Sequence, residues 1–411
     1  MTLMTTEAPE NAQRFTSLSQ LLDPQVLANP YPLYRSLREQ GPVRWDPYLH
    51  AWVVTSYEQS LEVLLRYSAD RTPSPEVLDK FGLSQLAPIA AVMTKQMLFM
   101  DPPAHTRLRT LAAQAFSVAR VERLMGKIQA VLDELLDGLA GKDTIDIVSD
   151  LGEPLPAIVT AALLGVDIAD HPKLKTWSAT FAEVLGNFQH NPERAMRVLN
   201  SLEEMIEYFR DAIRTNGDRD GLIRDLATAR VNGEQLTEDE VIANIIVTMV
   251  GGQETTTNLI GNGMLTLLRH PDATAALRAN QDMLPSAVEE LLRFEPPSQH
   301  TARLAPADAS LGGQSIRKGQ AVIVVMAAAN RDPARFPDPD RLDLARQDNR
   351  HLSFGWGSHF CFGAHLARLE GRLALRAILN RYPEMALTPG PLVWRENLGL
   401  RGLLSLPIAV A

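Results

Sequence analysis

The sequence predicts a mainly helical protein with a small β-sheet region, built around one long helix that crosses the whole domain. Three observations predict it. Apolar residues recur at helical spacing through most of the chain, one such pattern runs unbroken from Thr237 to Pro271, and β-branched or aromatic runs are short and few. Helices are expected over 31–40, 57–66, 106–115, 118–139, 155–164, 192–215, 237–269, 285–293 and 364–379. Thr237-Glu238-Asp239-Glu240 reads as a capping box. The helix it opens should be about 50 Å long at about 1.5 Å per residue. Strands are expected at 43–45, 51–55 and 320–326, the last preceded by the turn-like Gly312-Gly313 and Lys318-Gly319. No Gly/Ser linker, charge block or repeat divides the chain, so 1–411 reads as one domain with 1–15 a flexible N-terminus.

Composition narrows the function classes. With 45% apolar and 22% charged residues the chain has material for a large core. The longest strongly apolar stretch noted, 321–329, falls far short of the roughly 20 residues that cross a bilayer. The first 13 residues carry Glu7 and Glu10 and have neither a basic start nor an apolar core. A cytoplasmic protein without a membrane span is the expectation. A net charge of -9 argues against nucleic acid, which is bound by clustered Lys and Arg. One cysteine excludes an internal disulfide and a cysteine-rich zinc site, leaving a buried spectator or a lone reactive or ligating thiol.

That cysteine lies in Phe354-Gly355-Trp356-Gly357-Ser358-His359-Phe360-Cys361-Phe362-Gly363. Gly355, Gly357 and Gly363 permit turns closed to other residues and leave room for a flat group to approach. Amides aimed at the sulfur, together with the N-terminal end of the helix that follows, would favour its thiolate. Aromatics Phe354, Trp356 and Phe360 would shield it from water. Midway along the long helix stands Gly251-Gly252-Gln253-Glu254-Thr255-Thr256. Two glycines inside a helix cost about 1 kcal/mol each against alanine, so a compensating use is expected. Close helix packing, with the threonines bonded one turn back, is the plain alternative.

The ten residues around Cys361 match Phe-Gly-x-Gly-x-His-x-Cys-x-Gly, and the segment resembles the haem-binding loop of the cytochrome P-450 family. The resemblance implies the cytochrome P-450 fold and haem b (iron protoporphyrin IX), with Cys361 as the thiolate ligand of the iron and Phe354, Gly355 and Gly363 shaping its loop. It makes Gly251 and Gly252 an oxygen-binding groove at a local break in the long helix. Thr255 becomes the alcohol that hydrogen-bonds at the oxygen-activating position, and Glu254 the acid that relays protons. Glu290 and Arg293, three apart on one helical face, match the family's Glu-x-x-Arg element and imply a buried structural triad with Arg341. His105, Arg109, Arg303 and His359 match its propionate partners, singly no more than surface residues but four in order.

A haem-thiolate monooxygenase follows, inserting one oxygen atom from O2 into a hydrophobic small molecule such as a natural product or lipid-like compound. A peroxygenase and a non-catalytic haem sensor are the alternatives; the pair Glu254 and Thr255 speaks against both. No dinucleotide fingerprint or iron–sulfur cysteine set occurs, so electrons should come from NAD(P)H indirectly, through a ferredoxin or flavodoxin with its reductase. Arg107, Arg120, Arg123, Arg350, Arg368 and Arg372 would form the docking patch, or else are scattered solvated arginines. By position, the substrate pocket draws on 77–97, 181–190, 298–302 and 398–403 and on Ala243, Asn244, Val247, Thr248 and Gly251 of the long helix. Ala302 and Leu400 are its apolar candidates, and Asn244, Gln299 and His300 its polar ones. The chain is expected to act as a monomer.

Overall fold

The computed structural model describes residues 16–113, 116–185, 192–215, 220–231 and 233–410. The expected flexible segment 1–15, the end of the expected helix at 114–115 and the pocket positions 186–190 lie outside the described residues. The long helix runs over Glu238–Arg269, 32 residues, and starts at the capping box read from sequence, Thr237 and Glu240 each bonding the other's backbone. At about 1.5 Å per residue it is about 48 Å long. Helices Pro154–Leu164, His171–Ala182, Leu284–Phe294 and Ala364–Arg381 pack around it.

This helix joins two apolar cores. Val241, Ile242, Ile245, Ile246, Met249 and Val250 enter one, with Phe181, Phe209 and Leu164. Leu259, Ile260, Met264, Leu265 and Leu267 enter the other, with Leu291, Leu373 and Ile378. Gly251 to Thr256 fall at the seam, where neither core claims the helix. The glycine and polar residues there cost no core packing, which is why the sequence can place chemistry at that point.

Strands Val43–Asp46, Ala51–Val54, Ala321–Val324 and Thr301–Leu304 form a sheet in that spatial order, the middle pair parallel and the outer pairs antiparallel. Its last strand, not anticipated from sequence, carries Ala302 and Arg303. A bridge between Ser298 and Leu400 brings the C-terminal turn beside it. The helix expected over 118–139 is two, Val118–Arg123 and Met125–Asp137, because the Leu124 amide bonds Val121 three residues back and closes the first early. One helical run longer than 321–329, Ile147–Leu164, has the length and hydropathy of a membrane span, but 67% of it is buried inside the protein.

The triad that fixes the chain ahead of Cys361 forms with a different third member. Arg293 and Glu290 are fully buried, Nε–Oε2 2.8 Å and Nη2–Oε1 2.8 Å. Arg346, 8% exposed, supplies the second cation, its Nε 3.2 Å from both Glu290 oxygens. Arg341 is 68% exposed and pairs with Asp343; only its backbone carbonyl enters the cluster, accepting from Arg293 and Arg346. The turn at Asp338, where φ is +47°, and the bends after it bring residue 346, not 341, back over the helix. The cluster also binds Asn349 (3.0 Å) and the Asp343 amide (2.9 Å), so it anchors the 337–349 loop by many short bonds.

Candidate active site

The cysteine loop takes the turns its glycines allow, Gly355 at φ +67° and Gly357 at φ +69°. The Cys361 amide donates to the Phe354 carbonyl at 2.7 Å, which closes the loop beneath the sulfur. The helix Ala364–Arg381 begins at once, with Gly363 as its cap. Burial pushes the Cys361 thiol up, while the Gly363 amide, then Arg109 and Arg368, pull it down. Phe354 and Phe360 pack edge to face at 6.1 Å. Trp356 departs from its expected shielding role and packs into the cluster around Tyr57 and Leu64.

Two arginines and two histidines gather near this loop. His105 and His359 stack with ring centroids 4.1 Å apart. Arg303 joins them from its strand, and with it Arg71, which sequence reasoning missed: a single arginine in an irregular loop has no partner at helical or strand spacing. Burial, then Arg303, pushes Arg71 down to about 9, and burial pushes Arg303 down to about 10. His359 falls to about 3 through burial, then His105, Arg303 and Arg71. Both His105 ring nitrogens, His359 Nε2 and Arg303 Nε are buried with no hydrogen-bond partner. Such a set fits a dianionic group, since buried donors and cations without partners are costly. Arg109, expected here, points to the loop instead: Nη2 donates to the Phe360 carbonyl at 2.7 Å, and its guanidinium lies 5.5 Å from the Phe362 ring.

The central helix shows one accessible strip among buried neighbours: Val247, Thr248, Gly251, Gly252 and Thr255. A Cβ on Gly251 or on Gly363 would meet nothing within 4 Å, so there is open space beside each of these two glycines. The helix is continuous through the strip and the expected break is absent; the room comes from the missing glycine side chains. Thr255 Oγ1 donates to the Gly251 carbonyl at 2.6 Å, the one-turn bond that threonines make in helices. Glu254 is 8% exposed, and burial raises its pKa above the ordinary carboxylate range. Arg395 Nη1 lies 3.5 Å from Glu254 and Arg395 Nη2 2.6 Å from Glu153, which in turn pairs with Lys175. Lys175 is 43% exposed, so a chain of charge leads from Glu254 to solvent.

Two expected pocket contacts are spent elsewhere. Asn244, fully buried, accepts from the Met97 amide at 2.9 Å and donates to the Lys95 and Glu240 carbonyls, fastening the 94–97 turn to the helix. Gln299 accepts from Tyr34 at 2.9 Å and donates to the Pro296 carbonyl at 2.7 Å. Ala243 is buried at 1% exposure and leaves the accessible strip to Val247 and Thr248. Burial pushes His300 down to about 4, so it is neutral near pH 7. Ala302 and Leu400 are partly exposed, as a pocket wall needs.

The family model described as cytochrome P-450 matches residues 51–390. The chain belongs to the cytochrome P-450 family. It is 40% identical to the cytochrome P-450 monooxygenase PikC of Streptomyces venezuelae, over 93% of this chain and 91% of that one. It is 37% identical to 6-deoxyerythronolide B hydroxylase of Saccharopolyspora erythraea, over 92% and 95%. Among solved structures, P450BioI in complex with acyl carrier protein ligated to hexadec-9Z-enoic acid matches with TM-score 0.88 and 36% identity, over 94% of this chain and 100% of that one. The fold is the cytochrome P-450 fold, and this P-450 is a haem-thiolate monooxygenase, an oxidoreductase that uses haem b and electrons originating in NAD(P)H.

Four of the six arginines of the expected docking patch form ion pairs within the chain. Arg107 pairs with Glu240, Arg120 with Asp220 and Asp225, Arg350 with Asp348, and Arg368 is bidentate to Glu289. The charge of these four is balanced by neighbouring carboxylates.

Proposed function

We propose that this P-450 hydroxylates or epoxidises a neutral, lipid-like or polyketide-like molecule, with Cys361 as the iron ligand and His105, His359, Arg303 and Arg71 holding the haem propionates. The observation that carries the substrate reading is the fate of Asn244 and Gln299. Both are consumed by the fold, which leaves Val247, Thr248, Ala302 and Leu400 to face the substrate, an apolar wall with one hydroxyl. The names of the relatives agree with a hydrophobic substrate: one is a 6-deoxyerythronolide B hydroxylase, and P450BioI was solved with acyl carrier protein ligated to hexadec-9Z-enoic acid.

Bound haem supplies reductive cleavage of O2, so that one atom enters the substrate and the other leaves as water, with two electrons and two protons consumed. The protein's part is to bind, to exclude water and to move protons. Gly251 leaves open space beside the strip where the haem and its oxygen would be held, and Gly252 lets the helix lie close to Thr160 of its neighbour. Thr255 Oγ1, now on the Gly251 carbonyl, is placed to swing toward that space. Glu254, raised by burial and held by Arg395, takes protons from solvent and delivers them along the strip. A ferredoxin or flavodoxin with its reductase supplies the electrons, docking at surface charge other than the internally paired arginines. Thr255→Ala tests the proton route: hydrogen peroxide released per NAD(P)H consumed should rise severalfold while haem content holds. Unchanged coupling would refute the role. A spin-state screen of fatty acids against macrolactones sorts the substrate class.

A further inference from the structure

Arg368 turns inward, onto the back of the cysteine loop. It sits one turn into the helix Ala364–Arg381, and its fork meets Glu289 at 2.6 Å (Nε–Oε1) and 2.8 Å (Nη2–Oε2). The guanidinium carbon lies 4.5 Å over the Phe354 ring. Phe354 is the residue whose carbonyl receives the Cys361 amide, so a single aromatic residue stands between this ion pair and the cysteine. His351 completes the group, its ring 5.8 Å from that of Phe354. The Ser353 amide donates to His351 Nδ1 at 3.2 Å, so Nδ1 carries no proton in the neutral ring. The proton is then on Nε2, 3.3 Å from Glu289 Oε2. Arg368 and Glu289 balance one another, one guanidinium against one carboxylate, with the His351 ring beside them. Burial alone would raise Glu289, yet the hydrogen bonds from Arg368 and His351 hold it down at about 2.

We propose that Glu289, Arg368 and His351 are positioning residues whose balanced charge, held on Phe354, sets the reduction potential of the haem at Cys361. The proposal rests on the haem-thiolate reading. Reduction adds one negative charge at the iron, so an unbalanced cation behind the loop favours the reduced state and an unbalanced anion opposes it. Arg368 and Glu289 are 30% and 27% exposed, so solvent weakens the effect without erasing it.

The test is a spectroelectrochemical titration of the holoenzyme. Glu289→Gln, which strands the guanidinium, should raise the potential, and Arg368→Gln, which strands the carboxylate, should lower it. A tenfold change in the reduction equilibrium, about 59 mV for one electron, is the expected size. The double variant should return toward the native value, and Arg368→Lys should stay closer to it than Arg368→Gln. Two single variants that shift in the same direction, or not at all, overturn the proposal, because loosened packing has no reason to change sign with the charge removed. If a single variant loses its haem, Arg368→Lys decides: a native-like potential supports charge control and a lowered one overturns it. The carbon-monoxide spectrum of the reduced native enzyme keeps the two readings apart, since loss of the thiolate signature there would fail the ligand assignment itself.

Discussion

Replacing Arg346 by alanine should destabilise the protein far more than replacing Arg341, although sequence reasoning favoured Arg341 as the third member of the buried triad. Arg346 is 8% exposed and holds both Glu290 oxygens at 3.2 Å, the Pro337 carbonyl at 2.8 Å and the Asp338 carbonyl at 3.3 Å. Removing one partner of a buried ion pair costs about 3–5 kcal/mol. Glu290 keeps Arg293, Asn349 and the Asp343 amide, so the loss belongs at the low end, about 3 kcal/mol. Arg341 is 68% exposed on a single surface pair, so its loss should stay within about 0.5 kcal/mol. Urea midpoints at unchanged slope read the difference, and haem content reports whether the loop leading to Cys361 still closes. Midpoints displaced equally by Arg346→Ala and Arg341→Ala would refute the assignment.

Arg71→Leu should speed haem loss to an acceptor apoprotein by about tenfold to a hundredfold, since a charge-assisted hydrogen bond is worth about 1.5–3 kcal/mol; an unchanged rate removes Arg71 from the propionate cradle. Glu370 is 2% exposed with Oε2 unpartnered, and burial lifts its pKa from 4.5 to about 8. A raised carboxyl supports the fold fully below its unfolded value, and that support is lost as pH climbs through its folded value. The native protein should therefore lose about 3 kcal/mol between pH 5 and 8 from this group. Glu370→Met should flatten that slope, and denaturation at the two pH values checks it. Asn244→Ala should lower stability by about 1–3 kcal/mol by stripping three bonds, with no change in which substrates shift the spin state; altered selectivity would return Asn244 to the pocket wall.

What the sequence made legible was whatever repeats locally. The capping box at Thr237 and the 3.6-residue apolar spacing placed the central helix to within a residue, and the glycine pattern placed the turns around Cys361, because both are consequences of backbone geometry over a few residues. Helix His171–Ala182 escaped although its buried residues Leu174, Trp177, Ser178, Phe181 and Ala182 keep helical spacing, because the polar Ser178 and the small Ala182 make the stripe read weakly as apolar. Arg71 and Arg346 escaped for another reason: each is recruited across the fold, to a cradle and to a helix it does not share. The pocket errors have the same origin. Asn244 sits on the face of the helix that sequence spacing would assign to substrate, but its side chain satisfies Met97, Lys95 and Glu240 backbone groups that spacing along the helix cannot reveal. A polar residue one turn from an active site is therefore ambiguous until its bonds are counted. Counting them removes Asn244 and Gln299 from a pocket already expected to be mostly apolar, and leaves the hydrophobic substrate reading standing on fewer polar contacts.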